Sequence, residues 1–428
     1  MQSKKVDIRT MLNRDKHQVV DLWKYSFSDS TKEFDEYYFT NRFSPENAVG
    51  LFCDGRLEAA LQLNPYNLVV GDIISEVKYV VGVSVQPESR GLGYMTDLLK
   101  YTLNMQYQNG EDFSILMPID TNIYTKYGYA NCFQKHDFTM DINRIDVPRT
   151  DYAIRRLDVS AIETAERDLH QLSEIYYDVV SCNHSYISRN SRYWKNRMAE
   201  LSVEHGEFFV VYDGKFPRGY VMLLSKAKDG VGTVVEMAFY DKNAFYALMG
   251  LVKNHATQFK RVNITTPQPM EFQLLTDFDN QIEHRVRPFM MGRVINAERI
   301  LDMILYKTEI FGCKRKDFDE STKYAIEIND DYIHENNIIV ICKNQKIIDI
   351  IRKPEKKEVS ANKPSADLPL LRLSMSVAEL AQLYTKALTL SELVRMGKVK
   401  ISEGEGDIEF FERIFGSKSA KSYVNDYV

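Results

Sequence analysis

Hydrophobic residues recur along this chain with two periods, and the switches between them mark out its elements. Val6-Asp7-Ile8-Arg9 alternates as a strand does, and Lys16 to Phe27 then places Val19, Val20, Leu22, Trp23 and Phe27 at helical spacing. Gly50 to Leu63 predicts a hairpin, with Asp54-Gly55 as its turn between Leu51-Phe52-Cys53 and Leu57 to Leu63. Leu68 to Val70 and Ile73 to Val85 predict two further strands joined through Gly71-Asp72, and Gly82 inside the second predicts a bulge or a close backbone approach. After Arg90, residues Leu92, Met95, Leu99 and Leu103 share one helical face up to the stop at Asn109-Gly110, and Phe113 to Pro118 predicts a buried strand.

The pattern then repeats faintly. Phe208 to Lys215 mirrors Gly50 to Arg56 at an offset of 159 residues, and a strand (Thr233 to Tyr240) and a helix (Asn243 to His255) follow in the same order. At that offset Arg90-Gly91-Leu92-Gly93 falls on Met249-Gly250-Leu251-Val252, so the second copy lacks the turn chemistry of the first. A third segment has a helix over Asn296 to Leu305 and strands at Ala325 to Ile328 and Asn337 to Cys342. An exposed Lys/Glu/Pro-rich loop is expected over Lys353 to Pro369, and Ser376 with Glu379 forms a capping box ahead of Leu380, Leu383 and Tyr384. These patterns give an α+β chain in three parts, 1–147, 148–286 and 287–428.

The junction Val83-Ser84-Val85-Gln86-Pro87-Glu88-Ser89-Arg90-Gly91-Leu92-Gly93-Tyr94-Met95-Thr96 carries the most chemistry. It runs from a β-branched strand through a polar turn into an amphipathic helix, with two glycines and an arginine at the joint. Such a turn aims several backbone N–H groups at one point at the positive end of a helix dipole, which is a place for a diphosphate. A dinucleotide-binding fold fits less well, because no strand with an acidic residue about 20 positions on follows.

Composition narrows the classes. The 428 residues are 44% hydrophobic, enough for more than one core, and the net charge of −5 comes without the basic block that nucleic acid requires. Five scattered cysteines with no CxxC pair argue against a disulfide framework, and the eight histidines show no metal-ligand spacing, so no metal is expected. No stretch approaches ~18 apolar residues and the N-terminus lacks a signal-peptide core, so the expectation is a cytoplasmic protein with no membrane partner.

Two more features bear on reaction chemistry. Tyr124, in Ile123-Tyr124-Thr125-Lys126-Tyr127-Gly128-Tyr129, follows the Phe113 strand closely. A phenol (pKa ~10) can protonate a departing thiolate (thiol pKa ~8.5) without first ionising; the plain alternative is a packed aromatic loop. The α-carboxylate of Val428 is a weak base at pKa ~3.5, but it can draw in a cation, act through water, or act as a base where desolvation raises it.

Together these features resemble the enhanced intracellular survival (Eis) family of N-acetyltransferases of the GNAT type. Arg90-Gly91-Leu92-Gly93-Tyr94-Met95 follows the RxxGxG/A pattern of that superfamily, with Met95 in the usual small-residue position. The resemblance spans the whole chain. It implies tandem GNAT domains, each a mixed central sheet flanked by helices, followed by an α+β domain like sterol carrier protein. It implies that Val83, Ser84 and Val85 line the acetyl and pantetheine arm of acetyl-CoA and that Gly91 to Thr96 hold the pyrophosphate. Tyr124 becomes the general acid, and the carboxylate of Val428 the general base. The acceptor becomes a primary amine on a cationic small molecule, such as an aminoglycoside or polyamine, and the assembly a hexamer. The family end is aromatic where this chain has Val428. Trp23 and Phe27, near Asp21, could wall an acceptor pocket, but core packing accounts for them better. Two alternatives stay open: a non-catalytic protein that binds acyl-CoA or lipid, and an acetyltransferase of protein or peptide amines.

Overall fold

The computed structural model describes residues 5–159, 166–228, 230–276, 282–310, 322–354, 369–402 and 407–426. Its first part contains β1 (Val6–Thr10), α1 (Lys16–Ser26), α2 (Lys32–Tyr37), β2 (Ala48–Cys53), β3 (Arg56–Val70), β4 (Ile73–Val85), α3 (Tyr94–Gln108), β5 (Phe113–Leu116), α4 (Thr121–Thr125) and β6 (Ala130–Asp141). The second contains β7 (Ala153–Leu157), α5 (Glu166–Val180), β8 (Ser185–Ile187), α6 (Ser191–Val203), β9 (Gly206–Asp213), β10 (Phe216–Lys228), β11 (Val231–Phe239), α7 (Lys242–Lys253), β12 (Arg261–Thr265), α8 (Pro269–Leu275) and β13 (Glu283–Val294). The third contains α9 (Ala297–Ile310), β14 (Lys323–Asn329), β15 (Ile338–Lys343), β16 (Lys346–Arg352), β17 (Arg372–Ser376), α10 (Val377–Tyr384), α11 (Leu390–Arg395), β18 (Lys400–Ile401), α12 (Asp407–Phe415) and β19 (Ser422–Tyr423).

The first two parts share one sheet, in the order β1-β2-β3-β4-β5-β13-β6-β12-β11-β10-β9-β7. Each repeat runs antiparallel and then takes a parallel neighbour, β4 beside β5 and β11 beside β12. Each then accepts a strand of the other: β13 lies between β5 and β6, and β6 lies between β13 and β12. The exchange hides both strand edges that an isolated repeat would leave open. β13 passes through position 287, where composition suggested a new segment.

The expected hairpins form. Asp54 and Gly55 both take positive φ (51° and 85°), the backbone that a two-residue turn needs to match strand twist. Gly82 has φ +63° at a register shift between β3 and β4, and an ideal Cβ there would lie 2.6 Å from Trp23 Cζ3. Both expectations for this glycine are met at once. Two expectations fail: Leu68–Val70 is not a separate strand but the end of β3, which runs from Arg56 to Val70, and Leu92 is not on the buried face of the following helix. The helix starts at Tyr94, after Gly93, and Leu92 stands exposed in the turn, while Leu98, Leu99, Thr102 and Leu103 face inward. The capping box at Ser376 and Glu379 is present, whereas most of the Lys353–Pro369 loop lies outside the described residues.

The third part has its own five-stranded sheet, β16-β15-β14-β17-β18, and is packed directly onto the first. Phe113, Cys132, Phe289 and Met290 share a core with Leu380, Ala381 and Tyr384 of α10. Arg293 of β13, fully buried, donates to both carboxylate oxygens of Asp330 (2.7 and 2.9 Å) and through Nε to the Tyr127 carbonyl (2.7 Å). Tyr332 N–H and Asn336 Nδ2 donate to the same carboxylate (2.9 Å each). Removing one member of such a pair strands a buried charge. Arg293→Met is expected to cost about 3–5 kcal/mol, read as a lowered urea midpoint; Arg293→Met with Asp330→Leu should recover most of it. An unchanged midpoint in the single variant would show that the pair does not hold the parts together.

Candidate active site

The site begins where β4 and β5 part. They pair in parallel only over Lys78–Val80 and Ser114–Leu116, and β5 then ends while β4 continues to Val85. On its other edge β4 stays paired, Ser84 with Ala60 and Val85 with Ala59. Val83, Ser84 and Val85 therefore face a cleft along one strand edge, with Ser84 buried and the two valines partly so.

Eight residues, Gln86 to Gly93, lead from β4 into α3. A 3-10 turn at Pro87–Ser89 is pinned by Ser89 Oγ to Glu58 Oε2 (2.7 Å) and by Gln86 N–H to the Glu58 carbonyl (2.8 Å). Gly91 and Gly93 follow with φ of +84° and +88°, and an ideal Cβ at either would meet nothing within 4 Å. Here glycine is required by backbone conformation, not by crowding. Gly93 is the N-cap of α3 and no side chain caps that end. Thr96 N–H turns back to the Gly93 carbonyl (2.8 Å) and Leu92 N–H leans on Ser89 (3.4 Å). Among the described residues the N–H groups of Gly91, Gly93, Tyr94 and Met95 meet no acceptor. Four donors at the positive end of a 15-residue helix fit a diphosphate. The Met95 side chain does not enter that count, which is of N–H groups alone. Arg90 is exposed at the lip, with its guanidinium 5.9 Å from the Tyr25 ring.

Tyr124 sits on α4, a single turn capped by Asp120, whose carboxylate accepts from Asn122 N–H (2.9 Å). Its ring meets Tyr129 edge-on at 6.3 Å, and its hydroxyl makes no hydrogen bond among the described residues. Burial, with a smaller push from Tyr127, raises this phenol above its ordinary value, so it carries its proton at neutral pH. The loop is held from two sides. Tyr127 hydroxyl meets Thr96 Oγ1 of α3 at 2.8 Å, and Arg293 takes the Tyr127 carbonyl. The Thr96 side chain thus ties α3 to this loop. Arg293 was missed by sequence reading, because nothing local marks a β13 residue as a neighbour of α4.

Val428, with Tyr427, lies outside the described residues. The tail leading to it is firmly held. β19 pairs in parallel with β8, which pairs antiparallel with β3. The tail therefore runs opposite to β3 and along the direction of β4, toward the end that carries Val83–Val85. Asp426 accepts from Arg189 Nε (2.9 Å) and from Tyr193 hydroxyl. Arg189 also binds Glu236 twice (2.5 and 2.9 Å), and Tyr423 hydroxyl reaches the same carboxylate (2.5 Å). Burial works to raise the pKa of Glu236, yet the Arg189 charge and these hydrogen bonds hold it below the ordinary value. Trp23 is core: its ring stacks on Tyr38 at 4.7 Å and Nε1 donates to Asp35 (2.8 Å).

The second repeat has no counterpart of the open glycine turn among its described residues, and for a different reason than the offset suggested. Only Tyr240 and Asp241 join β11 to α7, so the loop is missing, not substituted. Asp241 caps α7, accepting from Asn243 and Ala244 N–H (2.9 Å each), and supplies the anion itself. Gln268 bonds both the N–H and the carbonyl of Phe239, closing the strand end beyond the β11–β12 pairing (3.0 and 2.9 Å).

Among the described residues no group of His, Cys, Asp or Glu is arranged to hold a metal, and no helix is long and apolar enough to cross a membrane.

Family comparisons agree with this layout. Residues 7–132 and 185–294 each match an acetyltransferase (GNAT) domain, and residues 308–423 match a sterol carrier protein domain. A comparison with curated protein sequences gives no match. Solved structures share the fold over the whole chain. A probable N-acyltransferase of Enterococcus faecalis has a TM-score of 0.75 at 16% identity, covering 100% of both chains. A GCN5-related N-acetyltransferase of Anabaena variabilis has a TM-score of 0.75 at 18% identity, over 99% of this chain and 100% of the other. Eis1 of Mycobacterium abscessus has a TM-score of 0.69 at 17% identity, over 99% of this chain and 100% of the other. The chain is an acetyltransferase of the GNAT type, built from two GNAT domains and a C-terminal sterol carrier protein domain.

Proposed function

We propose that this protein moves the acetyl group of acetyl-CoA to a primary amine of a cationic small molecule, an aminoglycoside or polyamine. The observation that carries the reading is the convergence of three features: the open β4 edge, the four unused N–H groups at the head of α3, and an unpartnered, protonated Tyr124 on the loop that follows β5. Val83, Ser84 and Val85 would hold the acyl and pantetheine arm through backbone groups. Arg90 and the run Gly91, Leu92, Gly93, Tyr94, Met95 and Thr96 would form the diphosphate cradle, with most of the binding from the N–H groups of Gly91, Gly93, Tyr94 and Met95. The amine nitrogen attacks the thioester carbonyl; the C–N bond forms and the C–S bond breaks. Tyr124 gives its proton to the departing sulfur, and the α-carboxylate of Val428 takes the proton lost by the amine, directly or through water. The course of the tail supports the last assignment.

The division at 147 and 286, with β13 lent back to the first domain, is part of the same proposal, as are a homo-hexameric assembly and a cytoplasmic setting.

Incubating the protein with acetyl-CoA and a panel of amines, and following free thiol, tests the reading directly; thiol release that ignores the amine would refute it. Tyr124→Phe is expected to lower kcat about 100-fold or more while leaving KM for acetyl-CoA unchanged. Tyr124 works in its protonated form and its pKa is raised. Activity should therefore persist to above pH ~10 before falling, and that alkaline limb should vanish in the variant. Deleting Val428, or extending the chain past it, should reduce turnover without weakening acetyl-CoA binding; unchanged rates in both would remove the carboxylate from the mechanism.

A further inference from the structure

The second repeat holds a cavity of about 700 Å³ between α5, β8 and the start of β10. It lies beside the β11–α7 joint on the α5 face, and its lining is drawn wholly from the second repeat. Its walls combine rings and acids. Tyr177 is 58% exposed and stands edge-on to Tyr186 at 6.4 Å, while Tyr240 closes another side and gives its hydroxyl to Asp178 (2.9 Å). Glu174 adds a second exposed carboxylate, 3.5 Å from His170.

Two arginines stand in the wall. Arg218 lies 3.6 Å from Asp213, with its Nε unpartnered among the described residues. Arg189, at the inner wall, is shared between Glu236 and Asp426, and the Tyr176 ring covers its guanidinium at 3.8 Å. Two carboxylates thus stand behind one guanidinium, and two more stand on the wall. Tyr176 belongs to the same wall, and its hydroxyl is buried without a partner among the described residues. Acids outnumber the arginines around this space, and the exposed rings of Tyr177 and Tyr240 stand beside them; such surroundings favour an ammonium ion.

We propose that this cavity binds an organic ammonium ion, with its charge against the rings of Tyr177 and Tyr240, which Tyr186 backs, and with Glu174 and Asp178 as counter-ions. It is a second amine site, in the repeat that cannot hold acetyl-CoA, and it abuts the Arg189 anchor of the tail.

The test is calorimetric titration of spermidine and of choline into the full chain without acetyl-CoA, at low salt. Saturable binding is expected, weakening as salt rises. Glu174→Gln with Tyr177→Ala should weaken it about tenfold while leaving kcat and KM for acetyl transfer unchanged. Both residues are exposed, so the fold should tolerate the changes; Asp178→Asn, which keeps the rings, should weaken binding as well. Equal affinity in wild type and both variants, or no saturable binding of either compound, would overturn the site. Because no acetyl-CoA is present, that outcome is independent of whether the chain acetylates amines.

Discussion

Arg293 is the fastening on which the candidate site depends. A buried guanidinium costs several kcal/mol in lost hydration, and only a full set of partners offsets it. Here the partners come from three places: Asp330 from the third part, the Tyr127 carbonyl from the loop after α4, and the Val294 carbonyl beside it. The arginine itself stands on β13, a strand of the second repeat inserted into the sheet of the first. One side chain therefore couples all three parts to the loop that carries Tyr124. The Thr96–Tyr127 contact then passes that positioning to the head of α3.

The two repeats show how little separates an anion site from a closed helix end. Both have a strand, a joint and a helix in the same order. In the first, the joint is eight residues long with two left-handed glycines and no side-chain cap, so backbone donors stay open. In the second, the joint is two residues long and Asp241 satisfies the donors within the protein. A carboxylate in the chain and a phosphate on a ligand meet the same electrostatic demand. Gln268 does the corresponding work at the strand end. The second repeat keeps its architecture because packing of α5, α6 and α7 onto the sheet does not need the joint.

The tail is the other long-range device. A two-residue strand such as β19 has too few ladder bonds to hold a chain end alone. Its position is secured by Tyr423 on Glu236, Asn425 on the Val235 carbonyl and Asp426 on Arg189. The charged centre of that cluster, Arg189 and Glu236, belongs to the second repeat, so that repeat fixes the chain as far as Asp426.

Local rules made much of this protein legible in advance. The 3.6 and 2 periods, the Asp-Gly turn, the Gly82 bulge and the glycines after Arg90 all act within a few residues, where steric and hydrogen-bond demands are strong enough to show in composition. The start of α3 was misjudged by two residues because Leu92 fits the apolar spacing, while the left-handed Gly93 decides where the helix begins. The lost phosphate turn of the second repeat was legible as a loss, but its cause, a shorter joint closed by Asp241, was not, since a fixed offset cannot register a deletion. Sequence alone determined the elements, the open turn and the presence of Tyr124 after a buried strand. Only the tertiary structure decided the exchange of β6 and β13, the burial of Arg293 against Asp330 and the anchoring of the tail on Arg189, because each joins residues far apart in the chain whose pairing energy exists only once both have been taken out of water.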